Sequence, residues 1–344
     1  MSPPRTASWR PAHAGGAVSE LLQVHNLTVH FATEDGLVEA VDSVSFSVRP
    51  REILGVVGES GSGKSVTAHA LLRLIRPPGR IVRGEIRFEG ADLLALPEEQ
   101  MGEVRGARIA LVFQSPRTAL NPVLTVGGQI ARLYELHQHV SRAEAWRRTI
   151  EMLTLVGIAE PARRARQYAH QLSGGMCQRV MIAMAIASSP RLLIADEPTT
   201  GLDVSIAAQI LDLLRGLGRR TGASIVLITH DLGLVAEACD RVAVMHAGQL
   251  VEIADVRTLF KRPLHPYTQA LVRSIPRIDR EVAMEPIPGA VPSLLAPAPG
   301  CRYADRCARV LPVCRLERPM LRAAGVNHEV ACHAVEVDSG AAVR

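Results

Sequence analysis

At 344 residues, with 47% hydrophobic and 21% charged residues, the chain is long enough for two or three domains and too apolar to be disordered as a whole. A formal charge of +5, only 3% aromatic residues and no basic stripe interleaved with stacking side chains argue against nucleic acid as a partner. No apolar run reaches the roughly 18 residues that a membrane helix needs, so any contact with a membrane is expected to come through a partner.

The first 20 residues carry Arg5 and Arg10 but Gly, Pro and Ala in place of a continuous apolar run. A disordered tail is expected there, not a signal peptide, and the protein is expected to be cytosolic. From about Leu22 to Val48 apolar and polar residues alternate, interrupted by Glu34-Asp35-Gly36, which predicts a small antiparallel sheet. Phe31 ends its first strand; it can stack on an adenine ring or serve as an ordinary sheet aromatic, and both readings stay open.

The apolar run Ile53-Leu54-Gly55-Val56-Val57 leads into GESGSGKS, Gly58 to Ser65. A glycine, four residues, then Gly-Lys-Ser between a strand and a helix fits a loop that wraps phosphate with backbone N–H groups. Gly58, Gly61 and Gly63 permit close approach, Lys64 can reach the β- and γ-phosphates, and Ser65 offers a hydroxyl to Mg²⁺. Ser60, Ser62 and Val66 complete the expected nucleotide-binding stretch, and the following helix points its positive end at the anion. A plain glycine-rich turn is the alternative. Only Lys64 and Lys261 are lysines in a chain with 39 Lys and Arg, so a lysine stands where a compact point charge is wanted.

Val66 to Ile75 reads as a helix closed by Pro77-Pro78-Gly79, and Glu85–Phe88 and Ile109–Phe113 read as strands, the second giving way to Gln114-Ser115-Pro116. From Val126 to about Arg166 the pattern is helical, a subdomain spanning about residues 115–170. Leu172-Ser173-Gly174-Gly175-Met176 then opens a helix over Gln178–Ser188. Leu192–Ala195 is a buried strand ending in Asp196-Glu197, Ile206–Leu217 an amphipathic helix, and Ser224–Ile228 a buried strand ending in Thr229-His230-Asp231. Alternating strands and helices with polar residues at the strand tips predict a doubly wound α/β core with its site at those tips. From Pro263 onward Pro286, Pro288, Pro292, Pro297 and Pro299 punctuate a region that is not expected to form a conventional core.

Phosphoryl transfer needs held phosphates, Mg²⁺ and an aligned water. Asp196 is the expected Mg²⁺ partner, Glu197 the group to polarise the water, and His230 a group for the γ-phosphate or that water. Taken singly, the acidic pair reads equally as a helix cap and His230 as a strand-end turn residue. In order and spacing, however, GESGSGKS at Gly58, Gln114, LSGGM at Leu172, LLIADEP at Leu192, TTGLD at Thr199 and His230 together resemble the nucleotide-binding subunits of ABC transporters, over about residues 22–255. LSGGM followed by Gln178-Arg179 is far more specific than the phosphate loop, which many unrelated nucleotide-binding families share.

The resemblance implies an ABC-type phosphate-loop ATPase domain over 21–258, a RecA-like core with antiparallel β and helical subdomains. It also implies a head-to-tail dimer in which ATP lies between the phosphate loop of one subunit and Leu172 to Met176 of the other. Ser173, Gly174 and Gly175 at a helix N-terminus suit an anion supplied by a partner. In the family Asp203 helps join the two sites and Gln114 links Mg²⁺ to the loop that meets the membrane subunit. Cys177 falls at a variable position and Gly201 replaces the more usual alanine; neither removes a catalytic group.

The extension, 259–344, narrows the family. His265-Pro266-Tyr267-Thr268-Gln269-Ala270-Leu271 and GCRYADRC resemble the tail of bacterial dipeptide and oligopeptide importer ATPases. Cys301, Cys307, Cys314 and Cys332 are spaced C-x5-C-x6-C-x17-C, and in a cytosolic protein such clustering favours a metal or cluster over disulfides. The spacing lacks the tight pairs of structural zinc. The resemblance implies a [4Fe-4S] cluster in an irregular, cysteine-ligated extension, with zinc, including His333 as a further ligand, or four free thiols as alternatives. Cys177 and Cys239 read as buried small residues.

The expectation is an ATPase subunit energising peptide import from the cytoplasmic face of the membrane, using ATP and Mg²⁺. Its expected partners are two permease subunits, a second ATPase subunit and an extracytoplasmic peptide-binding protein. An importer for nickel or another small solute is the alternative within the class, and a soluble ABC ATPase acting on DNA or ribosomes the alternative outside it.

Overall fold

The structure, a computed structural model, describes residues 20–275 and 287–336. The expected N-terminal tail lies outside the described residues except for Glu20, as do Pro286 and the chain from residue 337. The described residues divide into two units, one of residues 20–21, 49–51 and 89–226, the other of residues 22–48, 52–88, 227–275 and 287–336.

The unit that begins at Leu22 opens with the antiparallel sheet read from the alternation: Gly36–Val48, Leu22–Thr33 and Gly79–Phe88, in that order. Thr33 pairs with Gly36, so Glu34-Asp35 is a two-residue hairpin loop. Leu22, Val24, Leu27 and Val29 are wholly buried. The alternation breaks at Asn26, where the backbone turns left-handed (φ 48°) in a bulge.

This unit's second sheet runs Arg322–Gly325, His328–Val330, Gln249–Asp255, Arg241–His246, Ile53–Val57. Only the last two are parallel, and they carry the continuous apolar runs of strands covered on both faces. The helix after Ser65 is shorter than predicted, Lys64–Leu71 in place of Val66–Ile75. Arg73 adopts φ 53°, the Arg73 N–H reaches the Ala70 carbonyl at 3.0 Å and the Leu74 N–H the His69 carbonyl at 2.8 Å, a hydrogen-bonded stop that needs no glycine.

The extension corrects the expectation that it lacks a conventional core. The helix Pro266–Arg273 buries Tyr267 completely, and the two last strands extend the sheet from Gln249–Asp255. Tyr303, Cys314, Val330, Ala331 and Cys332 are all buried.

In the other unit Ile109–Val112 and Leu192–Asp196 form a parallel pair, with Val112 opposite Ala195. The predicted helical stretch is three helices, Val126–Gln138, Arg142–Leu155 and Pro161–Arg164. Left-handed His139 and Gly157 interrupt it, and Thr125 and Ser141 cap the first two by accepting from the N–H groups of Gly128 and Glu144. The helix Gly174–Ile186 starts earlier than predicted because Ser173 caps it, accepting from the Met176 N–H. Val204–Thr221 buries Ala207, Ile210, Leu211, Leu214 and Leu217 along one stripe and ends at Gly222, φ 71°. The strand Ser224–Thr229 is buried throughout. Among the described residues no helix is long and apolar enough to cross a membrane.

Candidate nucleotide site

The loop from Gly58 to Ser65 leaves the buried strand Ile53–Val57 and enters the helix Lys64–Leu71. At Gly58 a Cβ would stand 2.1 Å from the Met245 carbonyl oxygen, so no side chain fits. At Gly61, φ 78°, a Cβ would meet nothing within 4 Å, which leaves backbone open to a ligand. Lys64 is 5% exposed, and its Nζ donates to the carbonyls of Gly58 at 2.8 Å and Glu59 at 2.9 Å and to Ser62 Oγ at 3.3 Å. Those three bonds hold the ammonium over the loop's own backbone. No side chain caps the helix at Gly63 and no acidic residue lies in its first turn, so its positive end faces no negative side chain of its own.

Phe31 is half-buried and its ring lies across Gly79, where a Cβ would come within 2.5 Å of it. His230 is exposed just beyond the strand Ser224–Thr229, and Asp231 after it caps the next helix by accepting from the N–H groups of Gly233 and Leu234.

The other unit carries the remaining predicted residues. Asp196 ends its strand 3% exposed. Glu197 follows with φ 46°, a left-handed conformation that costs a non-glycine residue about 1 kcal/mol or more. Its carboxylate accepts from Gln114 Nε2 at 2.9 Å and from Thr200 Oγ1 at 2.8 Å. The register of Val112 against Ala195 explains the first contact, because it brings Gln114 and Glu197 level, two residues beyond each strand partner. Leu172 is buried, and Ser173 to Met176 form the first turn of the helix Gly174–Ile186. A Cβ at Gly175 would lie 3.1 Å from Ile206, so the helix packs closely there. Asp203 is exposed at the start of Val204–Thr221.

Sequence reading missed Glu59, which fills a variable position inside the phosphate-loop pattern. Burial opposes the charge of Glu59, yet the paired Arg306 guanidinium, with smaller help from His246 and Tyr267, brings its carboxyl below the usual range. No local signal connects residues 247 positions apart.

The four tail cysteines are close enough to act on one another. Burial pushes the Cys301 thiol up to about 11, and the neighbouring Cys314, Cys332 and Cys307 add to the shift. The sulfur of Cys307 accepts from the Arg309 N–H and that of Cys314 from the Leu311 N–H, both at 3.4 Å. The ligand-ready arrangement expected of them is not found: among the described residues no group of three or more His, Cys, Asp or Glu stands so as to hold a metal ion. His333 turns its Nε2 to the Glu317 carbonyl at 3.0 Å.

The family described as "ABC transporter" matches residues 41–200, and the one described as "Oligopeptide/dipeptide transporter, C-terminal region" matches residues 251–314. The chain is 53% identical over 315 residues to a probable peptide ABC transporter ATP-binding protein, y4tR, of Sinorhizobium fredii, covering 91% of this chain and 94% of that protein. It is 47% identical over 322 residues to the dipeptide transport ATP-binding protein DppD of Escherichia coli, covering 93% and 98%. With the oligopeptide transport ATP-binding protein OppD of Mycobacterium tuberculosis it shares 48% identity over 94% of this chain but 53% of that protein, about half its length. Among solved structures, the dimeric ATP-binding cassette MJ0796 bound to ADP and Pi superposes with a TM-score of 0.63 at 27% identity, covering 69% of this chain and 99% of that one. The corresponding values for cbiO1 of Clostridium perfringens, part of an ABC transporter complex, are 0.60, 26%, 71% and 92%. With relatives of this identity spanning nearly the whole chain, the protein belongs to the ATP-binding subunits of peptide ABC transporters.

Proposed function

We propose that the chain hydrolyses ATP to energise import of dipeptides or oligopeptides through an ABC transporter, from the cytoplasmic face of the membrane. The observation that carries this reading is the match of residues 251–314 to the peptide-transporter C-terminal region on a chain that also bears an ABC cassette. Gly58 to Val66 take the phosphates through backbone N–H groups, with Lys64 on the β- and γ-phosphates and Phe31 against the adenine. Ser65, Asp196 and Gln114 are hard oxygen donors that would suit Mg²⁺, whose charge would offset that of the phosphate oxygens.

Glu197 accepts a proton from the attacking water as its oxygen bonds to the γ-phosphorus and the bond to the β-phosphate oxygen breaks, leaving ADP and phosphate. The Gln114 and Thr200 hydrogen bonds hold the Glu197 carboxylate in place for that step. His230 steadies the γ-phosphate. Leu172 to Met176 of a second ATPase subunit, identical or a paralogue, close the site from the other side, and Asp203 joins the paired sites. Two permeases and an extracytoplasmic peptide-binding protein complete the proposed assembly.

A [4Fe-4S] cluster on Cys301, Cys307, Cys314 and Cys332, with zinc as the alternative, belongs to the same proposal. Its support is the run of four cysteines C-x5-C-x6-C-x17-C in the extension, since the described residues do not themselves bring three ligands into a metal-holding group. When bound, such a cluster would supply folding free energy to the tail. Anaerobically purified protein is expected to contain about four iron atoms per chain, and stoichiometric zinc without iron would reject the cluster. For transport, the assembly in proteoliposomes should show ATP turnover raised by peptide-loaded binding protein. Turnover raised by nickel and by no peptide would reject the peptide reading.

A further inference from the structure

Glu59 is the one acidic residue inside a loop built to receive anions, and it is held from outside that loop. Its N–H donates to Tyr267 Oη at 2.9 Å. Its carboxylate takes both ends of the Arg306 guanidinium, Nη1 to Oε2 at 2.7 Å and Nη2 to Oε1 at 2.9 Å. The Glu59 carbonyl meanwhile accepts from Lys64 Nζ. Both outside partners belong to the extension and both are rigid. The Arg306 side chain is 4% exposed, and its Nε donates to the Pro288 carbonyl at 2.8 Å. Tyr267 is fully buried, with its ring against His246 and Tyr303 at centroid distances of 4.4 and 5.4 Å.

We propose that Arg306 and Tyr267 are positioning residues for the nucleotide: through Glu59 the C-terminal extension sets the shape and the charge of the phosphate loop, and so its affinity for the β- and γ-phosphates. Two effects act in the same direction. A loop whose N–H groups are already oriented spends no binding energy on ordering itself. A two-pronged arginine also cancels a carboxylate that would otherwise repel the incoming phosphates. The extension thereby tunes the motor besides marking the transporter class. The inference rests on the reading of Gly58 to Ser65 as the ATP phosphate loop.

The test measures Mg-ATP affinity of the full chain by titration with a fluorescent nucleotide, with steady-state turnover and thermal melting alongside. Arg306→Gln leaves Glu59 unpaired and should weaken ATP binding about tenfold while turnover at saturating ATP changes less than about threefold. The double variant Glu59→Gln with Arg306→Gln removes the stranded charge and should recover to within about threefold of the parent. Tyr267→Phe, which removes only the hydroxyl, should weaken binding about threefold and serves if Arg306→Gln does not fold. Parental affinity in Arg306→Gln or in Tyr267→Phe, or a double variant as weak as the single, would overturn the proposal. Lys64→Ala separates it from the reading beneath it: if that variant keeps full affinity the phosphate-loop assignment falls, whereas if it loses ATP and the Arg306 and Tyr267 variants do not, only the clamp falls.

Discussion

The side-chain amide of Gln114 donates to the carboxylate of Glu197 at 2.9 Å, across the ends of two parallel strands whose register holds the pair level. Glu197→Gln keeps the shape and removes the proposed base. Phosphate release should fall about 100-fold or more with nucleotide binding retained. Gln114→Ala leaves Thr200 as a remaining partner and should cost about tenfold. Unchanged turnover in Glu197→Gln would remove that residue from the chemistry.

Two glycines of the phosphate loop should answer differently to the same methyl group. Gly58→Ala places a carbon 2.1 Å from the Met245 carbonyl, so the loop must move and both melting temperature and ATP affinity should drop. Gly61→Ala meets nothing within 4 Å and carries only the cost of a left-handed backbone, about 1 kcal/mol. Its melting curve should stay close to the parent's while nucleotide titration shows weaker binding, because the methyl occupies ligand space.

Glu252 is fully buried and ties the extension to its sheet. It accepts from the backbone N–H groups of Leu264 at 2.8 Å and His265 at 2.9 Å, and its Oε1 lies 2.7 Å from His328 Nε2. Glu252→Ala strands all three and should lower stability in a denaturant titration by about 3–5 kcal/mol. Glu252→Gln retains part of the network and should lose less.

Acid should destabilise the fold through two buried imidazoles. Burial, with smaller repulsion from Arg306 and Arg302, lowers His246 to about 4 against a partial opposing pull from Glu59. Burial, with repulsion from His246, lowers His265 to about 3. In the unfolded chain both titrate near 6.5, so below that pH the unfolded state binds protons that the fold refuses, and stability falls until the folded values are reached. Each contributes up to about 1.4 kcal/mol per pH unit in that window. Denaturant midpoints should therefore fall from pH 7.5 to pH 5. His246 packs its ring against Tyr267 and Tyr303, so His246→Phe should keep that packing, fold, and flatten part of the dependence.

Sequence reading succeeded where a local pattern carries the structure. The alternation of Leu22 to Val48 declares two strands and the apolar run Leu192–Ala195 a third, and the glycine and lysine spacing of Gly58 to Ser65 declares a turn between strand and helix. Helix starts are hidden where the cap, not the apolar period, decides: Ser173 begins its helix at Gly174, ahead of the apolar period, and Ser141 with Glu144 three residues on marks a start inside the stretch whose pattern reads as helical throughout. The Gln114 contact with Glu197 and the Arg306 grip on Glu59 join residues 83 and 247 positions apart. Only the folded register brings such pairs together. The proline-rich tail conceals its core because the buried residues come in short clusters, at Arg302–Ala304, Cys314 and Val330–Cys332, with no helix or strand period running between them.

The strand His328–Val330 lies along Gln249–Asp255. Without it, that almost wholly buried strand would present an open row of peptide groups to any other extended chain. During translation this margin stays unsealed until residue 330 has left the ribosome, long after the phosphate loop has emerged. A chain cut short within the extension should therefore be prone to pair with other extended chains and clump.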